Sequence, residues 1–139
     1  MQGRRIIVAS WISDALFALT AVPHALGVDG FEGPSIGMAF TLFGVSLVVW
    51  PWVFAVAFVR SSQGDDLVVA SIFLTVGDAP TEVRRQLFTA LGVSVALCAA
   101  TAVANPFGVL VPMLPLGLVG LWAVRHGAFP PRSDAPRGR

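Results

Sequence analysis

Asp14 is the residue of this chain with the clearest capacity for chemistry, because it lies inside an apolar stretch that covers about residues 6–28. On a helix, Asp14 would lie about 12 Å inside that stretch. A charged aspartate near the centre of a bilayer costs roughly 2.5–3.5 kcal/mol on insertion scales. An acid inside a membrane span usually either pairs with another group or takes part in the function of the protein. We therefore predict that Asp14 is an intramembrane coupling or pairing residue.

Asp14 shares one face of the predicted helix with small or weakly polar residues, and such a face should pack against other helices. The face consists of Ser10, Asp14, Ala18, Ala21 and Ala25. Two interpretations stay open. Asp14 couples the movement of a proton or cation, because desolvation penalises its charged form. Alternatively, it joins a serine network or pairs with an arginine that reaches in from the membrane surface, namely Arg60, Arg84, Arg85 or Arg125.

The remaining reactive side chains do not form a catalytic set. His24 lies ten residues after Asp14, about 15 Å further along a helix and on a different face. The single cysteine, Cys98, lies in an apolar stretch and is expected to be a buried packing residue. We find no nucleophile with its base, no phosphate-binding glycine loop and no metal-ligand pattern, so we expect no enzyme, no metal and no cofactor.

The composition favours a membrane protein. Of 139 residues, 55% are hydrophobic and only 12% are charged, whereas soluble domains carry about 25% charged residues. A net charge of +1 argues against a nucleic-acid partner. The expected partners are therefore the lipid bilayer and either other membrane proteins or further copies of this chain.

Hydropathy predicts an all-α, polytopic four-helix transmembrane bundle with spans at about 6–28, 36–59, 83–105 and 107–124. The apolar segment 67–76 is too short to cross the bilayer as a helix, so it is expected to lie in the interface, with a re-entrant hairpin as the alternative. Asp78 is a plausible N-cap for the third span. The proline- and arginine-rich tail 127–139 is expected to be disordered.

The arginines predict the orientation. In a four-span arrangement one side receives Arg4, Arg5, Arg60, Arg84, Arg85 and Arg125, together with the tail arginines. The two opposite loops contain none. By the positive-inside rule both termini are cytoplasmic, and the arginines anchor the topology and meet anionic lipid. We expect the cytoplasmic membrane of a bacterium.

The third span is predicted to be the packing centre of the bundle, since two adjoining stripes of small residues run along it. One stripe consists of Gly92, Ala96, Ala100 and Ala104, and the other of Ala90, Ser94, Cys98 and Ala102. Prolines are expected to kink the second span, at Pro51, and the fourth span, at Pro112 and Pro115. Trp50 and Trp52 are candidates for lining a cavity in the cytoplasmic half.

Two resemblances add to this prediction. Roughly the last half of the chain resembles small, uncharacterised four-span integral membrane proteins of actinobacteria, in the segment from Gly77-Asp78-Ala79-Pro80 through Val83-Arg84-Arg85 to the ending Leu121-Trp122-Ala123-Val124-Arg125-His126-Gly127-Ala128-Phe129-Pro130-Pro131-Arg132. That resemblance implies location and topology. In architecture alone, the chain is similar to the small multidrug resistance transporters, which carry an essential carboxylate early in the first span. That family has a glutamate where this chain has Asp14, and its third-span and fourth-span motifs are missing here.

The sequence thus leads to two functional hypotheses. The first is an accessory or structural subunit of a larger membrane assembly, because the chain is small and has extensive small-residue faces but no catalytic set. The alternative is a small proton-coupled transporter that acts as an oligomer and uses Asp14 as its coupling carboxylate. Substrate, partner and oligomeric state do not follow from the sequence.

Overall fold

Four long apolar helices make up the protein. The computed structural model describes residues 3–73 and 79–132, and this part is all-helical. The α-helices are α1 (Arg4–Ala25), α2 (Glu32–Ser62), α3 (Val69–Phe73), α4 (Thr81–Thr101) and α5 (Met113–His126), and a 3₁₀ helix, Pro106–Leu110, precedes α5. Counting Pro106–His126 as one span, four segments are long and apolar enough to cross a membrane. The predicted four-span, multi-pass architecture is therefore confirmed.

The first two helices differ from the predicted spans at the loop that joins them. α1 ends at Ala25 rather than near residue 28, because Gly27 adopts a positive φ of 78°. Gly27 N donates to the His24 carbonyl and Val28 N to the Pro23 carbonyl, as in a Schellman motif. α2 begins at Glu32, before the predicted start near residue 36, and runs without interruption through Pro51.

The third span is also shorter than predicted. α4 ends at Thr101 rather than at residue 105, because the amides of Ala104 and Asn105 both fold back onto the Thr101 carbonyl. Asn105 is fully buried; its side chain accepts a hydrogen bond from Phe107 N and donates one to Ser35 Oγ at 2.8 Å. This side chain ties the end of α4 to the start of α2.

The long-range hydrogen bonds fix the directions of the helices. Trp11 of α1 bonds to Gln86 of α4, and His24 bonds to the Ala104 carbonyl just after α4, so α1 and α4 are parallel. In the same way Trp50 bonds to Met113 and Arg60 to Val124, so α2 and α5 are parallel. The start of α1 and α4 and the end of α2 and α5 therefore lie at one end of the bundle, as the arginine pattern requires.

The fourth span, and not the third, is the packing centre. In its apolar window 61% of the residues are buried, compared with 33%, 22% and 28% in the first, second and third spans. The fourth span is broken rather than simply kinked: the 3₁₀ helix ends at Leu110, and α5 starts after Pro112. Val111 N bonds to the Gly108 carbonyl and Leu114 N to the Val111 carbonyl, so short-range bonds satisfy the backbone at the break.

Three glycines explain how the fourth span reaches the centre. A Cβ atom on Gly108 would lie 2.9 Å from the ring of Phe17, and one on Gly120 would lie 2.5 Å from the ring of Phe73. A Cβ atom on Gly117 would lie 3.1 Å from Trp50. Rings from α1, α2 and α3 thus occupy space that any larger residue on the fourth span would take.

The small residues of the third span divide between two environments. Ala90, Ser94 and Cys98 are buried and pack inward. Gly92, Ala96 and Ala100 are exposed, and Ala104 is half-buried. Of the two stripes that were predicted to pack inside the bundle, the one with Gly92, Ala96 and Ala100 therefore lies mainly on the outer surface, because the broken fourth span already fills the centre.

The connection between α2 and α4 packs against α5. Ile72 of α3 is buried, and Phe73 stacks on Trp50 with ring centroids 4.8 Å apart. The predicted interfacial segment 67–76 is described only to residue 73, and the predicted N-cap Asp78 lies outside the described residues; Pro80 directly precedes α4.

The predicted disorder of the tail does not extend to its first six residues. Asp66 N bonds to the Pro130 carbonyl, and Arg132 N bonds to the Gly64 carbonyl at 2.7 Å. Residues 127–132 are therefore docked onto the loop after α2. Residues 133–139 lie outside the described part of the chain.

Replacing Gly108 by alanine tests the close approach of the fourth span to α1. We expect Gly108→Ala to lower the free energy of unfolding by about 1–3 kcal/mol, because the added methyl group would force the fully buried Phe17 ring to shift against its neighbours. The measurement is thermal unfolding in detergent, followed by circular dichroism. Gly44→Ala is the matched control, since no atom lies within 4 Å of its Cβ position. Equal effects of the two substitutions would contradict this account.

Candidate intramembrane acid site

Asp14 lies near the middle of α1 and is only 3% exposed. Ten residues separate it from Arg4, which places it about 15 Å from the arginine-rich end. Ser10 and Ser13 are buried on the same helix. The sequence-based expectation that Asp14 faces the helix bundle agrees with this position.

The predicted pairing of Asp14 with an arginine is absent from the described residues, because neither oxygen of the carboxyl has a hydrogen-bond partner there. Arg60 is paired with Asp65 at 2.7 Å, and Arg85 is paired with Glu82 at 2.6 Å. The Arg125 guanidinium lies over the Trp52 ring, 5.8 Å from its centroid. Arg84 is exposed at the start of α4. Short-range partners at the surface hold most of these arginines away from the bundle centre.

Two serines complete the site. Ser94 of α4 faces Asp14 closely enough for the hydroxyl to interact with the carboxyl. Ser10 precedes Asp14 by one helical turn, and both serines are fully buried. We call Ser10, Asp14 and Ser94 the Asp14 cluster. Both hydroxyl oxygens, like both carboxyl oxygens, make no hydrogen bond of standard geometry within the described chain.

Ser13 behaves differently from the serines of the cluster. Its hydroxyl donates to the Ser10 carbonyl at 2.7 Å, so its hydrogen-bonding capacity is used locally on α1. This local bond is the usual way in which a helical serine is satisfied in an apolar environment. The unmet capacity of Ser10 and Ser94 is therefore not a general property of the serines in this bundle.

Two hydrogen bonds hold the interface between α1 and α4 on either side of the Asp14 cluster. Towards the arginine-rich end, Trp11 Nε1 donates to Gln86 Oε1 at 3.1 Å. Towards the opposite end, His24 Nε2 donates to the Ala104 carbonyl at 3.0 Å. His24 thus ties two helices together and does not contact Asp14, as its spacing predicted.

An open groove lies at the arginine-rich end of α1 and α4. It has a volume of about 400 Å³ and is lined by Arg4, Ile7, Val8 and Gln86. Along α1, Ile7 and Val8 precede Asp14 by about two turns. None of the residues that line the groove belongs to the Asp14 cluster.

The two tryptophans predicted to line a cavity have other surroundings. Trp50 is half-buried, donates to the Met113 carbonyl at 3.0 Å and stacks on Phe73. Its indole thereby serves the backbone of the broken fourth span. Trp52 points outward and is 53% exposed. The structure does not bring either ring to the Asp14 cluster.

Arg60 is a structural centre, whereas the sequence predicted it as a topology anchor and as one possible partner of Asp14. Besides its bond to Asp65, Arg60 donates to the carbonyl oxygens of Val124 and Gly127, at 3.0 and 2.9 Å. Its guanidinium also lies 5.0 Å from the centroid of the Phe129 ring. One side chain therefore caps the end of α5 and holds the first residues of the tail. Its position at the end of α2 was visible in the sequence, but its partners were not.

Within residues 3–73 and 79–132, no group of three histidine, cysteine, aspartate or glutamate side chains lies close enough to hold a metal ion. Comparison of the chain with protein-family models, with curated proteins and with solved structures found no match. The argument for function therefore depends on the sequence and on the geometry of this structure.

Removing the Arg60 side chain tests its role at the end of α5. We expect Arg60→Ala to cost about 1–3 kcal/mol of unfolding free energy, because it leaves two carbonyl groups and a carboxylate without their charged donor. Trypsin should then cleave after Arg132 several-fold faster, since the tail loses its attachment. The control is Arg84→Ala, which removes an exposed arginine at the same end. Unchanged cleavage in Arg60→Ala would show that the tail is held by other contacts.

Proposed function

We propose that this protein is a non-enzymatic accessory or structural subunit of a larger membrane assembly, and that α4 is the helix that contacts a transmembrane helix of another protein. The observation that carries the proposal is the outer face of α4. Small residues occupy this face, including Gly92, Ala96 and Ala100, all of them exposed.

A smooth outer face favours a protein neighbour over lipid. Helices in membranes associate where small residues let two backbones approach closely, because packing rather than the hydrophobic effect drives the contact. Apart from the adjacent residues and backbone of α4 itself, nothing in the described structure lies within 4 Å of the Cβ position of Gly92. A second helix would gain close contact along this face without displacing any side chain of the bundle.

The outer face of α2 provides the contrast within the same molecule. It exposes bulky apolar side chains along its length, including Phe40, Leu47, Val48, Trp52, Phe54 and Phe58. Such residues present a rough, lipid-compatible surface. Because the two helices differ in this way, a transmembrane helix of another protein would pack more closely against α4 than against α2.

We further propose that the protein resides in a bacterial cytoplasmic membrane with both termini in the cytoplasm. The arginine asymmetry supports this orientation, and so does the position of the arginine-bearing helix ends at one end of the bundle. In this orientation Arg4, Arg5, Arg84 and Arg125 would meet the anionic headgroups of the inner leaflet.

Cysteine labelling tests the orientation. In a Cys98→Ala background, a membrane-impermeant maleimide added to whole cells should label Asp29→Cys, in the loop after α1, and leave Ser62→Cys unlabelled. Both positions are exposed on the protein, so the bilayer alone distinguishes them. Preferential labelling of Ser62→Cys would reverse the proposed orientation, and labelling of both would mean that the chain inserts in two directions.

Purification from native membranes tests the subunit proposal. The chromosomally tagged protein in mild detergent should elute as a large particle with stoichiometric partner proteins. Ala96→Leu should release those partners, because the larger side chain blocks close helix approach. Ala55→Leu is the matched control, an exposed alanine of α2. The proposal fails if the wild-type protein is monomeric or purely homo-oligomeric, or if both variants retain their partners.

A second candidate function is supported by the Asp14 cluster. A small ion-coupled transporter, proton-coupled in the sequence-based hypothesis, requires a carboxyl that binds and releases an ion inside the membrane. Asp14 is buried at the right depth and lacks a protein partner within the described residues. A homo-oligomer in native membranes would favour this candidate over the subunit role.

A further inference from the structure

We propose that the Asp14 cluster is a binding site for one monovalent cation of the size of Na⁺, held between α1 and α4 by the Asp14 carboxylate and the hydroxyl oxygens of Ser10 and Ser94. The inference stands independently of the subunit role. A cation bound at this site would also be the ion that an ion-coupled transporter, the second candidate function, requires.

The first argument is the number of oxygen atoms without partners. Within the described residues, the buried side-chain atoms that lack a hydrogen bond are Ser10 Oγ, both carboxyl oxygens of Asp14 and Ser94 Oγ. These four oxygens come from residues that are at most 3% exposed. Leaving a buried polar group unsatisfied costs about 1–3 kcal/mol. That such atoms are confined to one cluster points to a shared ligand.

The second argument is spacing. The oxygens do not bond to one another, although Ser94 is close enough to interact with the carboxyl. A hard cation binds oxygen ligands at about 2.3–2.6 Å, so two oxygens on opposite sides of it lie about 5 Å apart. Oxygens that face one another without a hydrogen bond of standard geometry can therefore be joined by one shared cation. A proton on Asp14 would satisfy only one of these contacts.

The third argument is charge. An unpaired carboxylate at this depth is penalised by desolvation, and one positive charge neutralises it. Asp14 is the one acid of α1, and the one acid of α4, Glu82, is paired with Arg85 at the arginine-rich end. A divalent ion would leave a net positive charge inside the membrane, whereas a monovalent ion leaves none. The ligands, two hydroxyls and a carboxylate, are all hard oxygen donors, which suit an alkali cation better than a transition metal.

Small side chains lie beside the cluster. On α4, the buried residue Ala90 precedes Ser94 by one turn. The groove lined by Arg4, Ile7, Val8 and Gln86 opens the α1–α4 interface at the arginine-rich end. The Trp11–Gln86 hydrogen bond joins α1 and α4 on the groove side of the cluster.

Ion-dependent stability of the purified full-length protein tests the proposal. Thermal unfolding in detergent is compared in NaCl and in choline chloride at equal ionic strength and at pH 8. A ligand that binds only the folded state stabilises it in proportion to the logarithm of its concentration. The melting temperature should therefore rise by about 2–8 °C for each tenfold increase in Na⁺ above the dissociation constant.

The variants separate this site from a general salt effect. Asp14→Asn should abolish the dependence on Na⁺, and Ser94→Ala should weaken the apparent affinity about tenfold, the loss of one good ligand. Ser13→Ala is the matched control, because the Ser13 hydroxyl is already bonded to the Ser10 carbonyl. It should retain the Na⁺ dependence of the wild type. If Asp14→Asn does not fold, Ser94→Ala and Ser10→Ala carry the test.

Two results would overturn the proposal. The first is an equal melting temperature of the wild-type protein in Na⁺ and in choline, which would mean that a proton neutralises the Asp14 carboxyl or that water solvates it. Alternatively, Asp14→Asn or both serine variants keep the full Na⁺ dependence, which would place the ion elsewhere. Neither result depends on which proteins co-purify, so failure of this proposal is distinguishable from failure of the subunit role.

Discussion

The fold depends on one constraint, that a broken helix inside a membrane must be enclosed by protein. Prolines 106, 112 and 115 deny the fourth span a continuous hydrogen-bond ladder, and hydrocarbon offers no partner for the groups that are released. The span is accordingly the most buried of the four. Side chains from α2 complete its bonding: Trp50 donates to the Met113 carbonyl, and Arg60 donates to the carbonyls of Val124 and Gly127.

Enclosure of the fourth span determines how the other helices pack. Its glycines admit the rings of Phe17, Trp50 and Phe73, so three neighbouring elements fit closely around it. With the centre filled, α4 uses only one face, which carries Ala90, Ser94 and Cys98, for packing inside the bundle. Its other small-residue stripe remains on the surface. The exposure of these small residues on α4 is thus a consequence of how the fourth span packs.

The Asp14 cluster is the part of the described bundle in which buried polar side chains lack hydrogen-bond partners. Elsewhere the polar side chains find partners close by: Ser13 on its own helix, Asn105 at Ser35, and Asp65 at Arg60. Between α1 and α4 the carboxyl and two hydroxyls face one another without such bonds. The Asp14 carboxyl therefore needs a neutralising group, because an unsatisfied acid in a low-dielectric interior is stable only with a positive charge or a proton.

The sequence by itself determined the class of the protein, since length and hydropathy of the spans and the arginine pattern depend on local composition and on the thickness of a bilayer. It also marked Asp14, because an acid inside an apolar span is conspicuous in any fold. Only the tertiary structure decided that the fourth span is central, that Gly92, Ala96 and Ala100 face outward, and that Ser94 faces Asp14. These features depend on which helices are neighbours, and helix periodicity defines the faces of a helix without naming the partner of each face.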